Sequence, residues 1–372
     1  MNNVLVDAIT TSKQRATERE VEFFRIQDPT QLESLTQLLR QNPAIRVFDE
    51  IQSQLAELIR LHHPTERLSE TAIAEHIAAH LGGITPAAYG VWVYYPWSCR
   101  VVHILDEAEF IYLRTSRNQH KITEAERETL QTRKIGVIGL SVGQSVALAL
   151  AIERLCGELR IADFDQLDLS NMNRIRTGIH NVGILKTVLV AREIAEIDPF
   201  LTVHCYDNGI DDNNIDTFLT EGGKLDILVE ECDSLDIKIL SRQKARELQI
   251  PVVMDTSDRG MIDIERFDLH ADLPILHGRI PEQLTIEEIR NMQGPERMQL
   301  VDNIVNISAM STKMQESLKE IGKSITTWPQ LASAVMLGGA AIAHVCREIA
   351  LNGDISSGRY YVDLELIFNQ EK

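Results

Sequence analysis

The chain has few cysteines, and its first residues do not have the pattern of an export signal. Its five cysteines are widely spaced and form no C-x-x-C pair, so a structural zinc site is not expected. The first ten residues, MNNVLVDAIT, contain no basic segment followed by an apolar core, so we expect no signal peptide. An odd number of cysteines without an export signal predicts reduced thiols and a cytoplasmic location.

Excess positive charge and long apolar runs are also missing. There are 37 Lys and Arg residues against 55 Asp and Glu residues, which gives a formal net charge of -18. Such a chain repels nucleic-acid backbones, so no nucleic-acid partner is predicted. The most apolar stretch, residues 331–345, is shorter than the roughly 20 residues that span a bilayer, so it predicts a buried helix and no membrane association. What remains is an ordinary globular composition, with 44% hydrophobic and 25% charged residues in 372, enough for roughly two domains.

The first part of the chain predicts a small accessory domain over residues 1–105. It is expected to be mainly helical, and the segments VWVYYP and RVVHIL are typical of short strands. Residues 106–133 are expected to form a linker, in which Thr123 opens a Thr-x-x-Glu capping box and starts a helix. The accessory helices are predicted after Asp28-Pro29, near 49–62 and from Ser69 to Gly82.

From Lys134 onward, apolar strands alternate with helical segments. The strands are KIGVIG, ELRIAD, LTVHCYD, DILVEEC and PVVMD. This alternation predicts an α/β domain over residues 134–372 with a Rossmann-like, doubly wound and mostly parallel sheet. GMIDIERFDL predicts an antiparallel edge, and an apolar helix from Leu331 and a last strand, RYYVDLELIF, complete the domain.

A glycine turn, Gly139-Leu-Ser-Val-Gly143, joins the first of these strands to its helix. Backbone at such a turn approaches a phosphate closely, and the helix N-terminus offers unpaired N–H groups. Asp163 ends the second strand, where a carboxylate can accept hydrogen bonds from ribose hydroxyls. Both features are equally typical of an NAD-binding domain, and a glycine turn alone also serves as a tight connection. They therefore indicate a nucleotide or dinucleotide without choosing between them.

The residues after Asp163 favour chemistry at phosphates. Arg174 and Lys186 follow the acidic strand end, and cations at this point neutralise the charge that builds as pyrophosphate leaves. Hydride transfer has no need of them. Asp233 follows the strand DILVEEC at the edge where ligands bind in open parallel sheets, and a hard carboxylate suits Mg²⁺ there.

Each of these residues also has an ordinary structural explanation. Arg174 and Lys186 are possible surface charges, and Asp165 and Asp168 are possible loop acids or helix caps. Asp233 is a possible cap of the helix that starts at Leu235. The order and spacing of these residues argue against the ordinary explanation being correct for all of them.

Several of these segments together resemble the ThiF/MoeB/HesA family of ubiquitin-activating-enzyme-like adenylyltransferases. The matching segments are VIGLSVGQSVALAL, LRIADFDQLDLSNMNR, VGILK, DILVEECDS and PVVMD, and RTSRNQ is similar to the arginine motif before the family's first strand. The resemblance covers roughly residues 114–353. It implies ATP and Mg²⁺ as cofactors and a homodimer. The implied reaction is adenylylation of a carboxylate, usually the C-terminus of a small ubiquitin-like or sulfur-carrier protein.

The resemblance also implies roles for single residues. Asp163 would hold the ribose, Asp233 would bind Mg²⁺, and Arg117 would reach the phosphates of the neighbouring subunit. The triphosphate would lie against the glycine turn and the side chains between the second strand and the next helix. The implied cofactor-binding residues are Gly139, Gly143, Asp163, Asp165, Asn171, Arg174 and Lys186, and the implied catalytic residues are Arg117, Arg174, Lys186 and Asp233.

The sequence departs from the family pattern in two ways. The turn carries Ser141 and Val142 where the family is richer in glycine, which leaves a non-catalytic adaptor as an alternative beside the NAD-dependent oxidoreductase. No cysteine lies between Cys232 and Cys346, where a thioester-forming cysteine would be expected, so we predict that the reaction stops at the acyl-adenylate. In a further polar turn, Asp258 and Arg259 are candidates for holding a substrate tail, with an ordinary glycine-containing turn as the alternative.

Overall fold

A computed structural model describes residues 5–6 and 15–368. The chain divides into two compact units. The N-terminal unit consists of Met1–Glu124 and Asp198–Phe200, and the larger unit consists of Ala125–Ile197 and Leu201–Lys372.

The N-terminal unit is built around a four-stranded sheet in the order β1-β3-β4-β2. Strands β3 and β4 are the two that the sequence predicts, and β2 is parallel to β4 while the other pairs are antiparallel. The expected helices form where their capping residues stand: the Asp28 side chain accepts a hydrogen bond from the N–H of Thr30, and Gly82 takes the left-handed conformation. The elements are β1 (Glu22–Phe24), α1 (Pro29–Gln41), β2 (Arg46–Asp49), α2 (Ile51–His62), α3 (Glu70–Leu81), β3 (Val91–Tyr95), β4 (Arg100–Ile104) and α4 (Glu107–Arg114).

The larger unit carries a seven-stranded sheet in the order β11-β10-β9-β8-β5-β6-β7. The five strands from β9 to β7 are parallel, and β10 and β11 are antiparallel to their neighbours. This confirms the predicted α/β class with a mostly parallel sheet and an antiparallel edge. The strands are β5 (Lys134–Ile138), β6 (Glu158–Ala162), β7 (Thr202–Tyr206), β8 (Ile227–Glu230), β9 (Val252–Asp255), β10 (Met261–Glu265) and β11 (Gly358–Tyr361).

Helices cover both faces of this sheet, so its central strands read as continuous apolar runs. The residues of β8 and β9, for example, are all buried. The helices are α5 (Glu124–Leu130), α6 (Gly143–Glu153), α7 (Lys186–Ile197), α8 (Ile215–Thr220), α9 (Leu235–Glu247), α10 (Ile286–Asn291), α11 (Gly294–Val305), α12 (Thr312–Leu318), α13 (Ala332–Ala350) and α14 (Leu364–Phe368).

Three details differ from the sequence-based expectation. Strand β10 is not the outermost strand, because β11 pairs with its free side. The segment expected to continue that last strand turns into α14 instead. Gly157 is the residue that the sequence predicts to end the helix from Val142, but helix α6 ends at Arg154, which adopts the left-handed conformation with φ 54°.

Helix α13 contains the apolar stretch that the sequence predicts to be buried. Among the described residues it is the one helix long and apolar enough to cross a membrane by length and composition. In this fold it packs on α6, and a Cβ atom at Gly339 would lie 2.7 Å from the Cβ of Ser145 on that helix. A side chain there would separate the two helices, so the glycine permits their close packing.

Candidate nucleotide site

The glycine turn lies at the carboxyl end of β5, against the chain that leaves β8. Gly139 has φ 87°, and its N–H donates to the carbonyl of Ala162. A Cβ atom at Gly139 would lie 2.8 Å from the backbone nitrogen of Cys232 and the backbone oxygen of Glu231. Gly143 begins α6, and a Cβ atom there would lie 2.7 Å from a methyl group of Val137. Packing alone therefore requires glycine at both ends of the turn.

Asp163 holds this turn in place from the end of β6. The carboxylate accepts the N–H of Leu140 at 2.7 Å and the N–H of Asp165 at 2.8 Å, and the residue is 8% exposed. Burial raises the pKa of Asp163, and the positive charge of Lys186 opposes that rise. Each carboxylate oxygen can accept a second hydrogen bond, so the predicted ribose contact is compatible with these bonds.

Lys186 is the first residue of α7, and the interpretation as a surface charge is wrong. The residue is 4% exposed, and its Nζ lies 2.7 Å from Oδ2 of Asp165 and 3.7 Å from Oδ2 of Asp163. Its backbone N–H donates to the carbonyl of Asp165. The lysine thus neutralises the two acids at the end of β6, at the point where the sequence predicts a triphosphate contact.

Arg174 contacts the glycine turn directly. Its Nη2 donates to Oγ of Ser141 at 2.9 Å and its Nη1 donates to Oδ1 of Asn173 at 3.0 Å. Its Nε is buried and has no partner among the described residues. Burial lowers the pKa of Arg174, and the negative charge of Asp233 opposes that effect. Because a guanidinium stays charged and an unpaired buried donor is costly, this group is suited to an incoming anion such as a phosphate.

Asp168 and Asn171 close the short 3₁₀ turn of residues Leu169–Asn173. The Asn171 Oδ1 accepts the N–H of Asp168 at 3.0 Å, and the Asp168 side chain accepts the N–H of Asn171 in return. Asp168 is thus a cap, as its ordinary explanation proposes. The amide nitrogen of Asn171 is the donor that remains for the predicted phosphate contact. Asn173 ties the turn to the carbonyl of Gln330 at 2.7 Å.

Asp233 follows β8 and faces the same space as Arg174. Its side chain is exposed and makes no hydrogen bond or ion pair with a described residue. It is not the cap of α9, because Ser234 occupies the N-cap position. The described residues contain no cluster of three or more His, Cys, Asp or Glu side chains that could hold a metal. One carboxylate with nucleotide phosphates is a common Mg²⁺ site in proteins, so Asp233 fits a Mg²⁺ that arrives with ATP.

Of the remaining predicted residues, Arg117 belongs to the N-terminal unit, and Asp258 and Arg259 have structural partners. Arg117 lies in the short 3₁₀ turn Ser116–Asn118 of the N-terminal unit and is exposed. Arg259 pairs with Asp363 and donates to the carbonyl of Ala309. Asp258 accepts the N–H of Ser311 at 2.9 Å and its hydroxyl at 2.8 Å. The polar turn at 258–259 therefore holds neighbouring segments of the fold.

A cavity of about 560 Å³ lies beside Arg174 and Asp233, and both residues line it. Its outer wall comes from α11 and α12 and includes Met298 and Met314. No sequence motif predicts a function for these helices. The sequence feature that indicates this wall is the helical spacing of apolar residues, at positions 298, 301 and 305 and again at 310, 314 and 318.

The larger unit therefore has an α/β fold of the Rossmann-like class. Residues 114–268 match the ThiF family model, and the chain therefore contains a ThiF-family domain.

The chain is similar to three known proteins over different parts of its length. The chain is 38% identical over 327 residues to an uncharacterized protein of Mycobacterium tuberculosis, covering 88% of this chain and 43% of that protein. It is 28% identical over 164 residues to the tRNA threonylcarbamoyladenosine dehydratase of Bacillus subtilis, covering 44% and 63%. It is 25% identical over 132 residues to ubiquitin-like modifier-activating enzyme 5 of Bombyx mori, covering 32% and 33%. The chain thus spans less than two thirds of the length of each of these relatives.

Proposed function

We propose that this chain is an ATP-dependent adenylyltransferase that joins AMP to a carboxylate and releases pyrophosphate. The observation that carries the proposal is the arrangement around one end of the parallel sheet. The unpaired Nε of Arg174 and the exposed carboxylate of Asp233 line one cavity, beside a glycine turn that Asp163 holds. The ThiF-family domain and the activating enzyme among the relatives support the same chemistry.

In the proposed reaction the chain positions groups and stabilises charge. A carboxylate oxygen attacks the α-phosphorus of ATP in line, the bond to the β-phosphate oxygen breaks, and pyrophosphate leaves. No general base is required, because a carboxylate is already ionised at neutral pH. Arg174 and Lys186 supply positive charge near the phosphates, and Asp233 supplies a ligand for Mg²⁺. When bound, this Mg²⁺ would supply positive charge beside the leaving pyrophosphate.

The product is proposed to leave as an acyl-adenylate. Cys232, beside Asp233, is a poor nucleophile because burial raises the pKa of its thiol well above the usual value. The carboxylate belongs to a small ubiquitin-like or sulfur-carrier protein or to another carboxylate substrate. The nucleophile that later takes the acyl group, with release of AMP, comes from outside this chain. We also propose that the chain forms a homodimer in which Arg117 reaches the neighbouring subunit. The proposed location is the cytoplasm.

A tRNA substrate is less well supported. One relative modifies tRNA, but the net charge of -18 on this chain opposes binding to a phosphate backbone.

The first test is the exchange of labelled pyrophosphate into ATP. Arg174→Ala should reduce the rate by about a hundredfold or more, the typical loss when one charge-stabilising donor is removed. Asp233→Ala should also reduce it strongly, because the proposed ligand for Mg²⁺ is lost. Arg176→Ala is the matched control, because this arginine is exposed, lies two residues away and faces Glu193 instead of the glycine turn. Thermal melting checks that all three variants fold. Wild-type exchange in either of the first two variants would remove that residue from the site.

Nucleotide titrations separate the alternatives. Calorimetry should detect binding of Mg·ATP to the wild-type chain. Binding of NADH, seen as enhanced cofactor fluorescence, without binding of ATP would favour the oxidoreductase. Binding of neither nucleotide would favour the non-catalytic adaptor and would overturn the proposed adenylation.

A further inference from the structure

The cavity beside the nucleotide site has the shape and lining of a pocket for an apolar group. We infer that the carboxylate substrate of this chain carries a bulky apolar substituent close to the reacting carboxyl group. We call the space the acyl cavity. This inference rests on the proposed function, since it identifies the class of acid that the same site would activate.

Two helices present one apolar face each to the acyl cavity. On α11 the cavity residues Met298, Val301 and Val305 are spaced three and four apart, which places them on one side of the helix. Met314 and Leu318 do the same on α12, four residues apart. Methionine is flexible and polarisable, so a wall that contains several of them adapts to apolar groups of different shape.

Most charged side chains that line the acyl cavity already have partners within the larger unit. Lys238 donates to Glu230 at 2.7 Å, and Glu231 accepts the N–H of Asp255 at 2.9 Å. Asp255 itself accepts the N–H of Ser257 at 2.9 Å. These partners are part of the fold, so these groups do not require a polar ligand in the cavity.

The unsatisfied groups lie where a carboxylate and ATP would meet. Arg174 keeps an unpaired buried Nε, and Asp233 is exposed without a partner among the described residues. Arg297 of α11 also lines the acyl cavity, exposed and without a partner among the described residues. Both line the acyl cavity together with Val142 of the glycine turn. A substrate whose carboxyl group lies near Arg174 and Asp233 would therefore extend its next atoms among the apolar side chains.

The size of the cavity argues against a glycine terminus. A volume of about 560 Å³ lies within the roughly 300–1,000 Å³ of sites that enclose small molecules. A Gly-Gly tail has no side chains and would leave the apolar wall without a partner. Met298 is 59% exposed although it lies on the cavity face of α11, so the wall offers apolar surface that an occupant would cover.

The substrate class can be tested with pyrophosphate exchange in the presence of Mg·ATP. Octanoate and 3-phenylpropanoate should raise the exchange rate at least tenfold over acetate and over a peptide that ends in Gly-Gly. Peptides that end in Leu or Phe distinguish an apolar C-terminal residue from a free acid, since both sources offer the same chemistry. Equal or greater stimulation by the Gly-Gly peptide would overturn the inference.

A second test measures the binding of an apolar acid to the acyl cavity independently of the reaction. Octanoate should bind to the wild-type chain in calorimetry, and Met314→Trp should weaken that binding at least tenfold by filling the cavity. Met298→Trp, at a more exposed position on the same wall, provides a second variant in case the first does not fold. Met336→Trp is the matched control, because Met336 is 49% exposed on α13 and does not line the cavity.

The outcomes separate this inference from the proposed function. Mg·ATP binding with stimulation only by the Gly-Gly peptide would overturn the apolar substrate and leave the adenylyltransferase intact. Absence of Mg·ATP binding and of exchange with every acid would overturn both. Octanoate binding that Met314→Trp and Met298→Trp leave unchanged would place the acid elsewhere and also overturn the inference.

Discussion

Packing against neighbouring segments constrains the residues of the glycine turn, in addition to any contact with a ligand. Ser141 lies at a position where the sequence departs from the family's glycine-rich pattern, and its Oγ accepts a hydrogen bond from the guanidinium of Arg174 at 2.9 Å. A hydroxyl therefore fixes the cation that the resemblance assigns to the triphosphate. The departure that supported an inactive adaptor thus has a structural role beside the candidate site.

Gly139 and Gly183 provide a matched pair, because both have φ 87°. A Cβ atom at Gly183 would meet nothing within 4 Å, whereas at Gly139 it would meet backbone atoms at 2.8 Å. Gly183→Ala should lower the free energy of unfolding by about 1 kcal/mol, because alanine disfavours the left-handed backbone conformation. Gly139→Ala should cost about 1–3 kcal/mol more, because the crowded backbone must move. Urea unfolding measures both, and equal losses would show that the turn relaxes freely.

At the scale of elements, a buried ionic network joins α9 to the sheet. Arg242 is fully buried and donates from Nε to Glu265 at 2.6 Å and from Nη1 to Glu230, so it links α9 to β10 and β8. The Glu265 carboxylate also accepts the N–H of Leu276. Glu230 is the last residue of β8, three residues before Asp233, so the network anchors the end of the strand that leads to Asp233.

Removal of the central arginine should therefore destabilise the larger unit strongly. Arg242→Met leaves the two buried carboxylates without their shared cation, and such a loss typically costs about 3–5 kcal/mol. Arg246→Met on the same helix is the control, since its pair with Glu282 is partly exposed and is worth less than about 1 kcal/mol. The free energy of unfolding in urea distinguishes the two. A small effect at Arg242 would mean that α9 docks by apolar packing alone.

At the scale of the whole molecule, stability should depend on pH through a buried acid. Asp255 at the end of β9 is 5% exposed, and burial raises its pKa to about 6. Between about pH 4 and pH 6 the unfolded chain has lost this proton while the folded chain still holds it. Stability therefore falls as the pH rises through that window and then stays level.

The variant Asp255→Asn removes this titration. A shift of roughly two pKa units corresponds to about 3 kcal/mol, so the wild-type chain should lose up to that amount relative to the variant between pH 4 and pH 7. Burial raises the pKa of Glu231 as well, and the charge of Asp255 adds to that rise, so the variant also removes part of the Glu231 contribution. Urea unfolding at a series of pH values provides the measurement. Parallel stability curves for the two proteins would contradict the assignment.

Local sequence patterns were sufficient to predict the alternating strands and helices of the larger unit. Each central strand is a short apolar run between helices, and parallel strands buried on both faces have this pattern wherever they occur. The order of these runs predicted the ends of β5, β6 and β8, and hence which loops meet at one edge. Strand β11 and helix α14 were harder, because a short edge strand pairs with a neighbour about a hundred residues away.

By itself the sequence determined the class of fold, the positions of Gly139, Asp163, Arg174, Lys186 and Asp233 along it, and the resemblance to a family. Only the tertiary structure decided that Lys186 is buried against two acids, that Ser141 holds Arg174, and that α11 and α12 enclose a cavity beside them. The reason is physical. Periodicity of apolar residues is set by neighbours along the chain, whereas burial and hydrogen-bond partners are set by segments that meet only after folding.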